Sequence, residues 1–185
     1  MPPKYLFVNK GYSMLTKIDL CSMALLKLGE KSIQSLLDDT PSAQLSRTLF
    51  DPVIDALLAS HPWRFACKVF ELTKNVDGEF LIPADCLRVL KCKGEIIGNK
   101  IESSADSTSI LAIVRVPVEK FPSYFVSLAT TKLAMEFCIP LIGEQNVFRM
   151  LAALYETEMQ SAKFIDSTTS INQDIENFSL INARF

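Results

Sequence analysis

Apolar positions recur every three or four residues in four segments of this chain, and the segment between them is patterned differently. From Pro41 to His61, Leu45, Leu49, Val53, Leu57 and Leu58 fall at helical spacing and predict one apolar stripe on a long helix. Asp38, Asp39 and Thr40 offer side-chain oxygens to its first free N–H groups, and the two carboxylates suit the positive end of its dipole. Pro41 fits the first helical position, where a missing N–H costs nothing. Pro52 interrupts the run, so a bend is expected near Thr48. Pro62 disfavours helical geometry at His61 and should stop the helix there. Trp63 and Phe65 follow at once and are expected to plug the core, with His61 capping the last carbonyls.

A shorter helix is expected at 17–28, capped by Thr16, striped by Ile18, Cys21, Leu25 and Leu28 with Ala24, and ended by Gly29. It should pack antiparallel to the long helix, with Ile33 and Leu36 of the connecting loop reaching the core. Over 68–116 the pattern becomes strand-like. Runs at Lys68–Thr73, Phe80–Ile82, Leu87–Cys92, Gly94–Ile97, Lys100–Glu102 and Ile110–Val116 are separated by turn signals. Asp77-Gly78 and Gly98-Asn99 read as two-residue hairpin turns, and Pro83 with Asp85 as turn residues. Helical spacing returns at 122–138 with Phe125, Leu128, Ala129, Leu133 and Phe137, ended by Pro140 and Gly143. A last helix is expected at 144–164. One face should carry Val147, Leu151, Leu154 and Ala162, broadened by Met150, Tyr155 and Met159. The expected class is α+β, mainly α: an antiparallel bundle of about four helices with a small inserted antiparallel β-sheet, forming one domain over 17–165. Residues 1–16 read either as a frayed end or as an arm anchored by Tyr5 and Phe7 beside Leu6 and Val8. Residues 166–185 read as a polar tail holding Phe178, Leu180, Ile181 and Phe185.

Taken in order, several short pieces resemble the head-to-tail adaptor proteins of short-tailed phages, the tail tubular protein A type. They are Leu28-Gly29, Ile33, Ser35-Leu36 before an Asp, Pro41 with Ala43, Asp51, Leu57-Leu58 and His61-Pro62-Trp63-Arg64-Phe65-Ala66. Leu81-Ile82-Pro83-Ala84-Asp85-Cys86-Leu87-Arg88-Val89-Leu90 continues the match, which covers most of 17–165 and neither tail. The resemblance implies a structural virion protein, the head-tail connector, assembled in the host cytoplasm. It would form a homo-oligomeric ring, of twelve copies by resemblance, beneath the portal protein. A downstream tail or nozzle protein would be built on it, and DNA would pass through its lumen without sequence recognition. In such proteins the terminal segments reach the portal or a neighbouring subunit. That makes Tyr5, Phe7, Phe178, Leu180, Ile181 and Phe185 the candidate interface, and Gly29, Pro41, Pro62, Trp63, Phe65, Pro83 and Asp85 the framework.

Composition narrows the alternatives. With 185 residues, 49% of them apolar, the chain can bury a substantial core. A net charge of −2 with mixed signs gives no basic footprint for nucleic acid or an anionic membrane. The most apolar window, Phe121–Gly143, contains Lys132, Glu136 and Pro140 and does not read as a membrane span; nor does the N-terminus read as a signal peptide. The five cysteines, 21, 67, 86, 92 and 138, include no CxxC and are accompanied by a single histidine, so no metal or cofactor site is expected. They read as small buried hydrophobes of a reducing compartment. No Gly-rich phosphate loop is present, and Asp38-Asp39 are better explained as helix caps than as paired catalytic carboxylates. No catalytic residue is assigned. The alternatives to an adaptor are a small hydrolase or thiol enzyme using Cys67 or Cys138, with His61 as its base, and a host-encoded helical interaction module.

Overall fold

A computed structural model describes residues 14–168. The fold is α+β, mainly α, with four α-helices and two three-stranded antiparallel sheets among those residues.

The first helix, α1 (Lys17–Lys27), starts at a reciprocal capping box. The Thr16 hydroxyl accepts from Asp19 N, and Asp19 accepts from Thr16 N at 2.8 Å. It ends as its glycine demands: Gly29 takes φ +77°, Gly29 N donates to Leu26 O and Glu30 N to Leu25 O, and the last carbonyls are satisfied. Its buried residues are Leu20, Cys21, Ala24 and Leu25, while Ile18 and Leu28 lie at the margin of the core.

The long helix, α2 (Pro41–Ser60), runs through Pro52. Of the three candidate caps, only Thr40 accepts from a helix N–H, that of Ala43. Asp38 instead closes the preceding loop through Gln34 N and Ser35 N, and Asp39 accepts from the Gln44 side chain. The buried face is Ala43, Ser46, Phe50, Ile54, Leu57 and Leu58. Leu45, Leu49 and Val53 are only half-buried at its edge, so the stripe expected from the leucines is rotated by one position. The C-terminal carbonyls are satisfied by Ser60 Oγ and Trp63 Nε1, both to Leu57 O, and by Arg88 Nη1 to Ala59 O. These groups, rather than the His61 side chain, close the helix.

After a short 3-10 turn at Arg64–Ala66 come β1 (Cys67–Thr73), β2 (Phe80–Leu81), β3 (Cys86–Cys92), β4 (Glu95–Ile97), β5 (Lys100–Glu102) and β6 (Ser107–Val114). The strands form two sheets, β1-β6-β3 and β2-β5-β4, where one was expected. Gly98-Asn99 joins the paired strands β4 and β5 as a two-residue hairpin. Asp77-Gly78 does turn the chain, with Asn75 Oδ1 accepting from Asp77 N and Glu79 N. It joins strands in different sheets, because β1 pairs with β6. Gly94 connects the sheets at φ +140°, and a Cβ there would lie 2.4 Å from Glu102 O, so this position admits only glycine without movement of the backbone. As the central strand of its sheet, β6 is buried on both faces over its last three residues, Ala112–Val114, while Ser107 and Ser109 are exposed. Ile113 and Val114 join the helical core, while Ile110 and Ala112 meet Phe80 and Ile101 in a second core between the sheets.

The third helix, α3 (Ser123–Leu141), packs against α1, α2 and α4, and α1 and α2 lie chiefly against it rather than against each other. Phe125, Leu128, Ala129, Leu133, Ala134, Phe137 and Cys138 are fully buried. Thr130 and Thr131 are buried too and return their hydroxyls to Val126 O and Ser127 O. Pro140 sits inside the last turn instead of ending the helix before it. The last helix, α4 (Gln145–Thr168), buries Leu151, Met159, Ala162 and Asp166, with Val147 and Tyr155 half-buried. Met150 and Leu154, expected on the core face, are 73% and 42% exposed. The helix also outlasts its expected end by four residues.

Trp63 is completely buried where α2 gives way to the first sheet, edge-on to Phe125 with ring centroids 5.2 Å apart. Phe65, half-buried, completes the aromatic cluster against Phe121, Tyr124 and Phe125. Trp63→Ala should cost roughly 3–5 kcal/mol, as truncation of large core aromatics does. Urea unfolding followed by circular dichroism checks this, and a midpoint equal to the parent's contradicts it.

Candidate functional site

The segment that closes α2, His61-Pro62-Trp63-Arg64-Phe65-Ala66, brings the single histidine close to a buried carboxylate and a phenol. The His61 ring stands edge-on to Trp63 at 4.7 Å. In its last turn, α4 delivers the carboxylate of Asp166, 3% exposed, beside Arg64. Both its oxygens accept from Arg64 N at 3.2 Å, and Tyr124 Oη donates to it at 2.7 Å. A buried charge is tolerated only when such donors replace water. Burial, then the hydrogen bond to Asp166 and its charge, hold the Tyr124 phenol well above its ordinary range. His61 is pulled below its ordinary value by burial, partly offset by Asp166.

This arrangement fastens α4, α3 and the start of β1 to one another. Asp166 was assigned to the tail from sequence, but it belongs to the described fold. Its signal lay in register: Leu151, Tyr155, Met159, Ala162 and Asp166 are spaced four, four, three and four apart along α4. An acid in a core register announces a buried partner set.

The thiols point away from nucleophilic chemistry. All five cysteines are free. Burial raises Cys21 to about 11, with the Ser46 hydroxyl opposing in part. Burial also raises Cys67, Cys86 and Cys138, and the Asp166 charge adds to the effect at Cys67. A reactive cysteine needs the opposite, a cationic or dipolar setting that favours the thiolate. Among the described residues no group of three or more His, Cys, Asp or Glu side chains could hold a metal ion. Nor is any described helix long and apolar enough to cross a membrane.

Of the residues assigned from sequence, Gly29, Pro41, Pro62, Trp63 and Phe65 sit at helix ends or in the core, as framework. Pro83 O accepts from Cys86 N, and Asp85 O accepts from Arg115 N, so this turn ties β3 to the segment after β6. Tyr5, Phe7, Phe178, Leu180, Ile181 and Phe185 lie outside the described residues. What sequence patterning missed is an apolar face on α4 turned away from the core. Met150, Leu154 and Phe164 are 73%, 42% and 69% exposed, and with exposed Thr157 and Ser161 they repeat at alternating spacings of four and three. The spacing is that of a helix-packing seam, apolar at three of its five positions.

Two measurements follow. Asp166→Ala should destabilise the fold by roughly 2–3 kcal/mol and Tyr124→Phe by about 1 kcal/mol, and the two should be non-additive in a double-mutant cycle. Additive effects would mean that the carboxylate and the phenol act separately. In the native protein, alkylation by iodoacetamide near pH 7.5 should be slower at Cys21, Cys67, Cys86 and Cys138 than at a free cysteine and should accelerate as pH rises. A faster-than-free thiol among them would favour an enzyme. No protein-family model matches this chain, and no curated protein sequence is significantly similar to it.

Proposed function

We propose that this protein is a structural assembly subunit, a head-to-tail adaptor that forms a ring beneath a portal and joins head to tail. One observation carries the reading: the second apolar stripe of α4, Met150, Leu154 and Phe164, lies on an exposed helix face that the subunit does not cover with its own described residues. Exposed large hydrophobes in helical register are a liability in an isolated monomer and an asset in an oligomer. The placement of the resembling residues agrees with this. Gly29, Pro41, Trp63 and Phe65 serve helix ends and core, so the shared pattern describes a scaffold rather than a reaction centre.

In this reading the α4 seam meets a neighbouring copy. Tyr5 and Phe7, with Phe178, Leu180, Ile181 and Phe185, supply further contacts to a neighbour or to the portal. The near-neutral net charge suits a lumen through which DNA slides without being gripped. Membrane attachment plays no part.

Deleting 177–185 should leave the melting temperature within a degree or two of the parent's, since every described core residue precedes it, and should abolish capture by purified portal protein in a pull-down. Met150→Asp with Leu154→Asp should leave the subunit folded but prevent ring formation, seen by light scattering coupled to size exclusion. Full-strength portal capture by the truncated chain together with unaltered assembly of the double variant would refute the proposal.

A further inference from the structure

The second sheet turns one face inward and the other to solvent. Phe80 and Ile101 fill the small core. Their strand neighbours Leu81, Lys100 and Glu102 point the other way, together with Glu95 and Ile97 of β4, which pair with Glu102 and Lys100. Leu81 and Ile97 belong to neither core and are 47% and 51% exposed. Lys100 is engaged by Glu79 at 2.7 Å. Glu95 and Glu102 stand directly opposite each other and have no ion-pair partner among the described residues. Like charges placed opposite on a strand pair are destabilising, so cations brought to this face would relieve it.

The first sheet carries the complementary surface. Phe70, Ile110 and Cys92 form a row that faces the small core. The next row, Val69, Leu111 and Lys91, faces away from it. Val69 is 63% exposed, Leu111 is half-buried, and neither belongs to a core. A groove of about 590 Å³ runs along this row and is lined also by Lys93. Lys91 and Lys93 are exposed and have no ion-pair partner among the described residues. With Glu71 opposite Ser109 on the same face, positive charge still outnumbers negative there.

We propose that the outer face of the second sheet docks on the outer face of the first sheet of another copy of this chain. Leu81 and Ile97 would meet Val69 and Leu111, and Glu95 and Glu102 would meet Lys91 and Lys93. The two sheets face each other across the small core, which puts their outer faces on opposite sides. One copy therefore cannot satisfy its own pair, and the contact passes from copy to copy as a heterologous interface does. Each face offers few exposed apolar side chains, so a single contact is weak and sensitive to salt. It rests on the reading of the chain as a self-assembling subunit, and on neither the α4 seam nor a portal.

The test is sedimentation velocity of the full chain at rising concentration and low salt. The parent should associate, and added salt should weaken the association. Glu95→Lys with Glu102→Lys, and separately Lys91→Glu with Lys93→Glu, should leave the circular dichroism spectrum in place and lower the association constant roughly tenfold or more. An equimolar mixture of the two variants should regain association, because the intact second sheet of one meets the intact first sheet of the other. That rescue excludes misfolding as the cause of the loss. A parent that stays monomeric, a reversal that associates as the parent does, or a mixture no stronger than its parts would each overturn the proposal. Unaltered association of both reversals, with assembly blocked by Met150→Asp and Leu154→Asp, would remove this contact and keep the assembly reading. The converse result would keep this contact and remove the seam.

Discussion

A helix that buries side chains around most of its circumference exists only if other elements wrap it, and α3 is such a helix. Leu128, Ala129, Leu133, Ala134, Phe137 and Cys138 have no contact with solvent, and even Thr130 and Thr131 turn their hydroxyls back onto the helix's own carbonyls. Alone it would expose more apolar surface than any monomer tolerates. The positions of α1, α2 and α4 follow from that requirement, since each lays its apolar face on α3. Lys27 Nζ reaches the Thr131 hydroxyl at 2.5 Å, so even the polar edge of α1 is referred to the central helix. The aromatic cluster of Trp63, Phe65, Phe121, Tyr124 and Phe125 then joins the N-terminal end of α3 to the chain entering the first sheet.

The first sheet meets the bundle through β6 and β3, and Cys67 and Phe70 of β1 also pack against the helical core. β6 contributes Ile113 and Val114 to the helical core and Ile110 and Ala112 to the smaller core, where Phe80 and Ile101 of the second sheet meet it. The glycine at position 94 brings the chain against Glu102 O closely enough for the small sheet to close.

The sequence made the elements legible, and the failures are instructive. Helix ends were readable because they are local: Thr16, Gly29, Thr40, Pro41 and Pro62 act on their immediate neighbours. Trp63 was readable because a lone large aromatic after a helix stop has few places to go. The face of α2 was misplaced because Leu45, Leu49 and Val53 repeat as regularly as Phe50 and Ile54, and only tertiary packing selects between adjacent stripes. The outer stripe of α4 was folded into the core for the same reason: Met150 and Leu154 share the period of Leu151 and Met159 but not their direction. Strand partners were hidden because pairing of β1 with β6 spans some forty residues, beyond any local signal such as Asp77-Gly78. Asp166 was hidden because its meaning depends on Arg64 and Tyr124, both distant in sequence.

The clamp at Asp166 has a mechanical meaning. A force applied to the chain beyond Thr168 enters the fold through the last turn of α4, and that turn is tethered there by the bonds from Arg64 N and Tyr124 Oη. The load is carried sideways into the central helix and the root of the first sheet instead of peeling α4 from its end. A pull on the chain beyond Thr168 is therefore resisted by Arg64 and Tyr124 as well as by the helix's own last turn.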